Sequence, residues 1–415
     1  MAQKPHERSS ETKRGARAGP VILQQSFRPF FLLAGAWATL CVLLWVGSLA
    51  GLPVLPDAVD ALAWHKHEML FGFATAAIAG FILTAIPNWT GGLPISGWPL
   101  ASLVGLWALG RFAFLLPEVL GPWAVAALDL SFLFVLVATI ARELIGGKNA
   151  RNFPVLGLIA LIATGNVAVH LQRLGLGDTA DTGYRLTTFV LAMLIAMIGG
   201  RIIPSFTRNW LKKQGAESLP AATNMIDHGA LGALALLVMA EVVAPGSRTT
   251  AAMAVAVGTL HLWRLARWKG FKVLSEPLLW VLHLGYAWLA AALVLIGLAG
   301  LGDLLPESAA LHALTTGAFG TMILAVATRA SLGHTGRPLT AGAGTTAAYA
   351  LISVAAMARV TSPLLGELEL AAIWISGGAW TLGYGLFTIL YFPVFTKPRP
   401  RPAPPDPRVD PDSPA

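Results

Sequence analysis

The sequence contains few charged residues for its length. Charged side chains make up 12% of the 415 residues and hydrophobic ones 55%, whereas about a quarter of an ordinary soluble domain is charged. So few charges cannot cover the surface of soluble domains, and this composition also excludes fibrous and disordered chains. The composition therefore predicts a polytopic membrane protein of the all-α class.

Cysteine is almost absent. Cys41 is the only one, which excludes a disulfide scaffold, an iron–sulfur cluster, a cysteine-rich zinc site and a CxxCH haem attachment. The sequence also lacks a phosphate-binding glycine loop, a nucleophile elbow and an HExxH motif. None of these common catalytic or cofactor motifs therefore explains what the chain does.

Long apolar runs are the main feature that is present, and each is a candidate membrane helix. We predict one membrane domain over residues 28–396, with polar, disordered tails at residues 1–27 and 397–415. The twelve predicted spans are 29–51, 68–88, 98–116, 122–144, 153–172, 184–205, 228–244, 249–266, 277–300, 309–330, 341–361 and 369–392.

The basic residues agree with this number of spans. With the N-terminus in the cytoplasm, most of the 29 lysines and arginines fall on the cytoplasmic side, as the positive-inside rule requires. Both termini are therefore predicted to be cytoplasmic. Arg111 is left within span three, and Asp129 lies at a similar depth in span four, so the two can form a buried pair.

Similar features recur along the chain and suggest an internal repeat. Pro29, Pro154 and Pro277 stand near the starts of spans one, five and nine at nearly equal spacing, and the motifs YRLTT and HALTT open spans six and ten. We predict three repeats of a four-helix unit, over residues 28–150, 151–275 and 276–396. Spans two, six and ten are then equivalent, and the six-plus-six division of many transporters is not expected.

Histidines lie within or at the mouths of the spans, where ionisable residues usually face the bundle interior. The outer layer consists of His65, His67, His170 and His312, and the inner layer of His228, His261, His283 and His334. Imidazole suits iron and copper. Our preferred site holds a haem iron between His67 and His312, from equivalent spans two and ten.

Other residues complete this hypothesis. Glu68 can accept a hydrogen bond from the ring N–H of a ligand histidine, and Arg201 and Arg329 can pair with haem propionates. His65 and His67 point in different directions on a continuous helix, so one can serve a neighbouring metal with His170. The candidate metal ligands are thus His65, His67, His170, His312 and, from the inner layer, His283. The alternative is that each histidine bonds a carbonyl and each arginine anchors at the membrane interface.

Several long segments resemble the NnrS family in the same order. They are FRPFFLLAGAWA (27–38), WHKHEMLFGFATAAIAGFILTAIPNWTG (64–91), GGRIIPSFTRNWL (199–211), EPLLWVLHLGYAWL (276–289) and HALTTGAFGTMILAVATRASLGHTGRPL (312–339). The resemblance implies a multi-pass protein of the bacterial inner membrane, associated with denitrification and nitrosative stress, that contains haem and copper. Its expected partners are nitric oxide or a metal-nitrosyl species, the lipid bilayer and an electron donor; no nucleic acid is expected.

Two other classes of function fit the same residues. A secondary transporter would use the two histidine layers as a proton or metal-ion path and would need no cofactor. A nitric oxide reductase of haem–copper type would need a copper site of three histidines beside the haem, with paired histidines on spans six and seven. The sequence has no such pair, so we expect a role in binding or redox handling of nitric oxide.

Overall fold

The computed structural model describes residues 19–302 and 304–400, which fold into twelve long helices joined by turns and short 3-10 segments. In chain order the helices are α1 (Phe27–Leu49), α2 (Ala61–Thr90), α3 (Trp98–Ala113), α4 (Pro117–Gly146), α5 (Phe153–Arg173), α6 (Ala180–Lys213), α7 (Met225–Val243), α8 (Arg248–Ala266), α9 (Pro277–Leu301), α10 (Glu307–His334), α11 (Ala343–Thr361) and α12 (Glu369–Thr396). No β-strand occurs in these two ranges, so the all-α class is confirmed.

Ten of the helices found in the described ranges are long and apolar enough to cross a membrane, so a multi-pass membrane protein is confirmed. The other two are α3 and α8. With 16 residues, α3 is only about 24 Å long, against roughly 30 Å of hydrocarbon in a bilayer. The apolar run of α8 is interrupted by His261 and Arg264. Twelve crossings therefore stay a prediction.

The structure describes only the inner parts of the two predicted tails, because residues 1–18 and 401–415 lie outside the described part of the chain. Residues Val21–Leu23 form a 3-10 turn, and Ser26 and Phe27 are buried. The side chain of Ser26 donates a hydrogen bond to the carbonyl of Ile95, so these residues pack against the membrane domain, whose bounds stay a prediction.

Three helices form the centre of the bundle. In α2, α6 and α10, between 67% and 72% of the apolar segment is buried, whereas in the other seven candidate spans the share lies between 33% and 44%. The outer helices expose large apolar side chains such as Leu43 and Trp123, as lipid-facing helices do. The central helices are spans two, six and ten, which the predicted repeat makes equivalent.

Contacts between the outer helices follow the same order. Helix α1 packs on α12, α4 on α5 and α8 on α9. Each predicted four-helix unit therefore meets the next one through its last helix and that unit's first helix, and the third unit closes onto the first. This closed arrangement agrees with a threefold repeat, although the repeat itself stays a prediction.

Two central helices contain π-helical segments at corresponding places. In α2 the π segment is Glu68–Ala74 and starts directly after His67, and in α10 it is Ala313–Gly320 and starts directly after His312. Single π turns inside α-helices often lie at functional sites, because the extra residue turns side chains away from their regular positions. Each of the two histidines thus lies directly before a π segment. No pattern in the sequence predicts these segments.

The two ends of the described chain meet. The Nη1 atom of Arg28 donates hydrogen bonds to the carbonyls of Val394, Phe395 and Lys397, at distances of 3.0, 2.9 and 3.1 Å. A guanidinium suits the negative end of a helix dipole and the unpaired carbonyls of its last turn. Helix α1 therefore starts at the face of the bundle where α12 ends.

We expect α3 and α8 to cross the membrane. In a Cys41→Ala background, Glu118→Cys and Arg248→Cys should react with a membrane-impermeant maleimide added to spheroplasts. Leu93→Cys and Phe271→Cys should react only after permeabilisation, because they lie at the opposite ends of α3 and α8. All four positions are exposed. If both cysteines of a pair label from the same side, that helix does not span.

Candidate metal centre

A cluster of buried polar side chains lies between α2, α3, α4 and α5. His67 ends the first α-helical part of α2, and Asp129 projects from the middle of α4. Asn166 and His170 are four residues apart in α5 and so share one face of that helix. Arg111 comes from the last turn of α3. All five are at least 97% buried, which is unusual for ionisable groups unless they are paired.

Three nitrogen atoms converge on one oxygen of Asp129. Oδ2 lies 3.1 Å from Nε2 of His67, 2.9 Å from Nε2 of His170 and 2.8 Å from the Nδ2 amide of Asn166. The two imidazoles and the carboxylate offer ligand atoms that all lie within 4.8 Å of one another. These three side chains can therefore hold one metal ion.

Glu68 supports His67 from the other side of the ring. Its Oε1 lies 3.0 Å from Nδ1 of His67, and its Oε2 accepts a hydrogen bond of 2.8 Å from the indole of Trp37. A carboxylate on the second ring nitrogen is the usual arrangement of a metal-binding histidine, since it fixes the tautomer and the ring orientation. The proton on Nδ1 leaves Nε2 to face the cluster.

Arg111 links the two carboxylates. Its Nη1 lies 3.1 Å from Oε2 of Glu68, and its Nη2 pairs with Oδ1 of Asp129. Arg173 also interacts electrostatically with both carboxylates, although it forms no ion pair with either among the described residues. Buried carboxylates are costly unless cations lie near them, so a proton on an imidazole or a bound metal ion would stabilise the cluster further.

The contacts of Nε2 of His67 indicate whether a metal ion fits beside this atom. This atom faces two oxygens, Oδ2 of Asp129 and, at 3.2 Å, Oδ1 of Asn166. With Nδ1–H directed at Glu68, a neutral ring would place a lone pair against two acceptors. Either a second proton on the ring or a metal ion between these atoms removes this conflict. In addition, Nδ1 of His170 is buried without a hydrogen-bond partner among the described residues. A nitrogen-rich set with one carboxylate suits copper, zinc or ferrous iron.

Two glycines provide the space for this cluster. A Cβ on Gly72 would lie 2.7 Å from Nη1 of Arg111 and 2.7 Å from Oε2 of Glu68, and one on Gly110 would lie 2.9 Å from Oδ1 of Asp129. Real Cβ atoms do not approach so closely. Gly72 belongs to the π segment of α2 and also accepts a hydrogen bond of 3.0 Å from the indole of Trp107. Both glycines are therefore required by packing.

Aromatic rings close the site to water. Phe114 stacks on the ring of His67 with a centroid distance of 3.9 Å, and Phe71 lies 5.1 Å from the same ring. The guanidinium of Arg173 covers Phe114 at 4.5 Å. Because these rings exclude water, the electrostatic interactions inside the cluster act in a low-dielectric medium and are strong.

The other outer histidines lie outside this cluster. His65 stacks on Trp45 with a centroid distance of 4.9 Å, and its Nδ1 is buried without a partner in the described structure. An electrostatic interaction couples His65 to His312 and to Arg359. His312 directs Nδ1 at the carbonyl of Ser308, at 2.6 Å, which leaves its Nε2 as the nitrogen with a free lone pair.

The predicted pairing of His67 with His312 across one haem does not match these contacts. Both ring nitrogens of His67 face the carboxylates, and His312 does not contact that cluster. His67 thus shares its site with His170, and His65 is the outer histidine coupled to His312. This division follows from the spacing of His65 and His67, which directs the two rings to different sides of α2.

The remaining predicted site residues lie elsewhere. Arg201 bonds Asn152 at 2.9 Å, and Arg329 stacks over Phe206 at 4.3 Å. The Nε2 atom of His283 lies 2.9 Å from the hydroxyl of Thr207. None of the three contacts the cluster around Asp129.

Both ring nitrogens of the inner-layer His261 contact protein groups. Its Nδ1 lies 2.7 Å from the hydroxyl of Tyr286 and its Nε2 lies 3.2 Å from the carbonyl of Ala230. The same hydroxyl accepts a hydrogen bond of 2.7 Å from Arg264, which also pairs with Asp227 at 2.9 Å. Since both nitrogens of His261 are used by protein groups, this histidine has no lone pair for a metal.

Sequence reasoning found half of the cluster. It selected His67, Glu68 and His170, and it noted that Arg111 and Asp129 can pair, but it did not join the two groups. The available signal was that an arginine and an aspartate lie at membrane depth in neighbouring spans. Asn166 was missed, although its spacing of four from His170 places both on one face.

Comparison with protein families supports the sequence resemblance. The family model described as NnrS protein matches residues 21–399, which is nearly the whole chain. No curated protein sequence matches the chain significantly.

We expect Arg111→Met to destabilise the protein by about 3–5 kcal/mol, because it leaves two buried carboxylates with one cation fewer. The matched variant Arg142→Met removes an exposed arginine that pairs with Glu143 and should change the stability by no more than about 1 kcal/mol. Unfolding by SDS titration in mixed micelles measures both. Adding Asp129→Asn to Arg111→Met should recover part of the loss; equal stability of the two single variants would contradict the charge balance described here.

Proposed function

Because the chain belongs to the NnrS family, we propose that it binds copper in the His67–Asp129–His170 cluster and haem beside His312, and uses them to bind or redox-handle nitric oxide. Family membership supports a membrane protein of the nitric oxide response. The proposal adds the metals, their ligands, twelve crossings and a location in the bacterial inner membrane. The observation that carries it is the convergence of two imidazoles on one buried carboxylate oxygen.

Each residue of the cluster has a defined task in this proposal. His67, His170 and Oδ2 of Asp129 are the ligands of the copper. Glu68 orients His67 by accepting the proton of Nδ1, and Arg111 holds Asp129 through Oδ1, so that Oδ2 stays available. A copper ion supplies a one-electron redox centre, and Phe114 and Phe71 keep water away from it.

The outer pair His65 and His312 supports a haem ligand near the π segment of α10. His312 has the arrangement of a ligand histidine, since the Ser308 carbonyl accepts the proton of Nδ1. The buried Nδ1 of His65 lacks a partner among the described groups. We therefore assign His312, with His65 in place of His67, as the candidate haem ligands.

Arg201 and Arg329 cannot serve propionates of a haem held at His312. Arg329 follows His312 by 17 residues in one helix, which separates them by about 25 Å, beyond the span of a porphyrin. In the predicted repeat Arg201 is equivalent to Arg329 and lies at the same end of the bundle. Both arginines fit better as interfacial anchors.

A binding role agrees with the cluster better than a haem–copper type reductase does. That type requires three histidines on copper, and the cluster offers two histidines and one carboxylate. A membrane electron donor would then set the redox state of the copper, and nitric oxide would be the small-molecule partner.

We expect His67→Ala, His170→Ala and Asp129→Asn each to lose copper, because each removes one of three ligands. Glu68→Gln should retain copper but with affinity lower by about 10–100-fold. The control is His228→Ala, which removes an exposed histidine outside the cluster. Metal analysis of purified protein after copper loading and desalting measures the content, and competition with a chelator measures the affinity. Full copper content in all three ligand variants would overturn the site.

We expect His312→Ala to lose haem while it still inserts into the membrane, and His228→Ala to retain it. The measurement is the optical spectrum of protein purified after expression with ample haem, before and after reduction with dithionite. Wild-type protein should show a Soret band that shifts on reduction. A colourless wild type would remove the haem assignment and favour the secondary transporter, and an unchanged spectrum in His312→Ala would exclude that ligand.

A further inference from the structure

The three central helices line a partly open cavity of about 80 Å³ in the middle of the bundle. Every side chain around it is apolar. Helix α2 contributes Ala77 and Ile78, α6 contributes Leu194 and Ile195, and α10 contributes Met322 and Ile323. The cavity therefore lies where the three predicted repeat units meet.

Water has no partners in this cavity. A buried water needs two to four hydrogen bonds, and the backbone groups of the surrounding helices are already bonded within those helices. Space is not limiting, because one water needs only about 10–15 Å³ on this measure. Apolar cavities of comparable size stay dry and take up xenon or small apolar molecules. The cavity thus suits a small uncharged molecule and excludes ions.

One end of the cavity opens into a vestibule. Phe31, Phe81, Ile198 and Ile202 line both the cavity and an adjoining space of about 270 Å³. The vestibule also has polar walls, formed in part by Arg201, Asn88 and His334. A molecule that enters from this face therefore passes from polar to purely apolar surroundings before it reaches the middle of the membrane.

The other end of the cavity points towards the metal centre. Ala74, at the end of the π segment, lines the cavity. Phe71 lies one turn earlier in the same helix and is buried between His67, at a centroid distance of 5.1 Å, and Tyr184, at 6.3 Å. Phe71 thus lies on α2 between Ala74, which lines the cavity, and the histidine that faces Asp129.

We propose that this cavity binds a small uncharged gas molecule of diatomic size and delivers it past Phe71 to the His67–Asp129–His170 cluster. The delivery step rests on the proposed function, because it needs a metal in the cluster. The binding step does not, since it depends only on the shape and the apolar lining of the cavity. Phe71 is a positioning residue that controls access and is not a metal ligand.

Xenon tests the binding step without any metal. Saturable binding of xenon to the full-length protein in micelles, measured by ¹²⁹Xe NMR, should be lost in Ala77→Phe and in Ile195→Trp, which fill the cavity. The control Ala350→Phe adds the same ring as Ala77→Phe at an exposed position of α11 and should retain the binding. The two filling variants lie on different helices, so that if one of them misfolds the other still provides the test. Absence of saturable binding in the wild type, or equal binding in both folded filling variants, overturns the proposal.

Nitric oxide association with the copper-loaded protein tests delivery. Phe71→Ala should speed association several-fold, and Ala77→Phe should slow it, with each rate measured on protein whose copper content has been determined and expressed per bound copper. Rates that are the same in wild type, Phe71→Ala and Ala77→Phe would show that the gas reaches the cluster by another route. If no variant loads copper, the proposed function fails, and the xenon result still decides the binding step.

Discussion

Burial of charge is the constraint on which the outer half of this molecule depends. Glu68, Asp129 and Arg111 lie inside a membrane bundle, where an unpaired ion costs several kcal/mol. They are tolerated because Arg111 joins both carboxylates and because the imidazoles occupy the remaining oxygens. Two imidazoles and one carboxylate also converge there, which makes the cluster a candidate cation site.

The backbone of α2 makes this pairing possible. Its π segment begins after His67 and brings Glu68 and Gly72 to the side where Trp37, Trp107 and Arg111 approach. A π segment follows His312 in α10 as well. Two central helices thus carry the same local distortion at the same end, and each places a histidine at its start. Helix α2 thus takes part both in the cluster around Asp129 and in the lining of the central cavity.

The sequence predicted correctly those features that depend on residues within a single helix. The apolar runs, the resemblance to the NnrS family and the choice of His67, Glu68 and His170 each depend on local composition or on spacing along one segment. It was least informative where the answer depends on which helices touch. The pairing of His67 with His312 stays a prediction, and in the structure α2 directs His67 towards Asp129 in α4 and His170 in α5.

The sequence by itself determined that this chain is a helical membrane protein, because hydropathy and charge act on each span independently of its neighbours. Long segments such as 64–91 and 312–339 carried the resemblance to the NnrS family. Only the tertiary structure decided the cluster around Asp129 and the central cavity. Asp129, Asn166 and Arg111 meet His67 through contacts between four helices, and α2, α6 and α10 line the cavity only where they meet. Such contacts depend on how helices pack and rotate against one another, which no single span encodes.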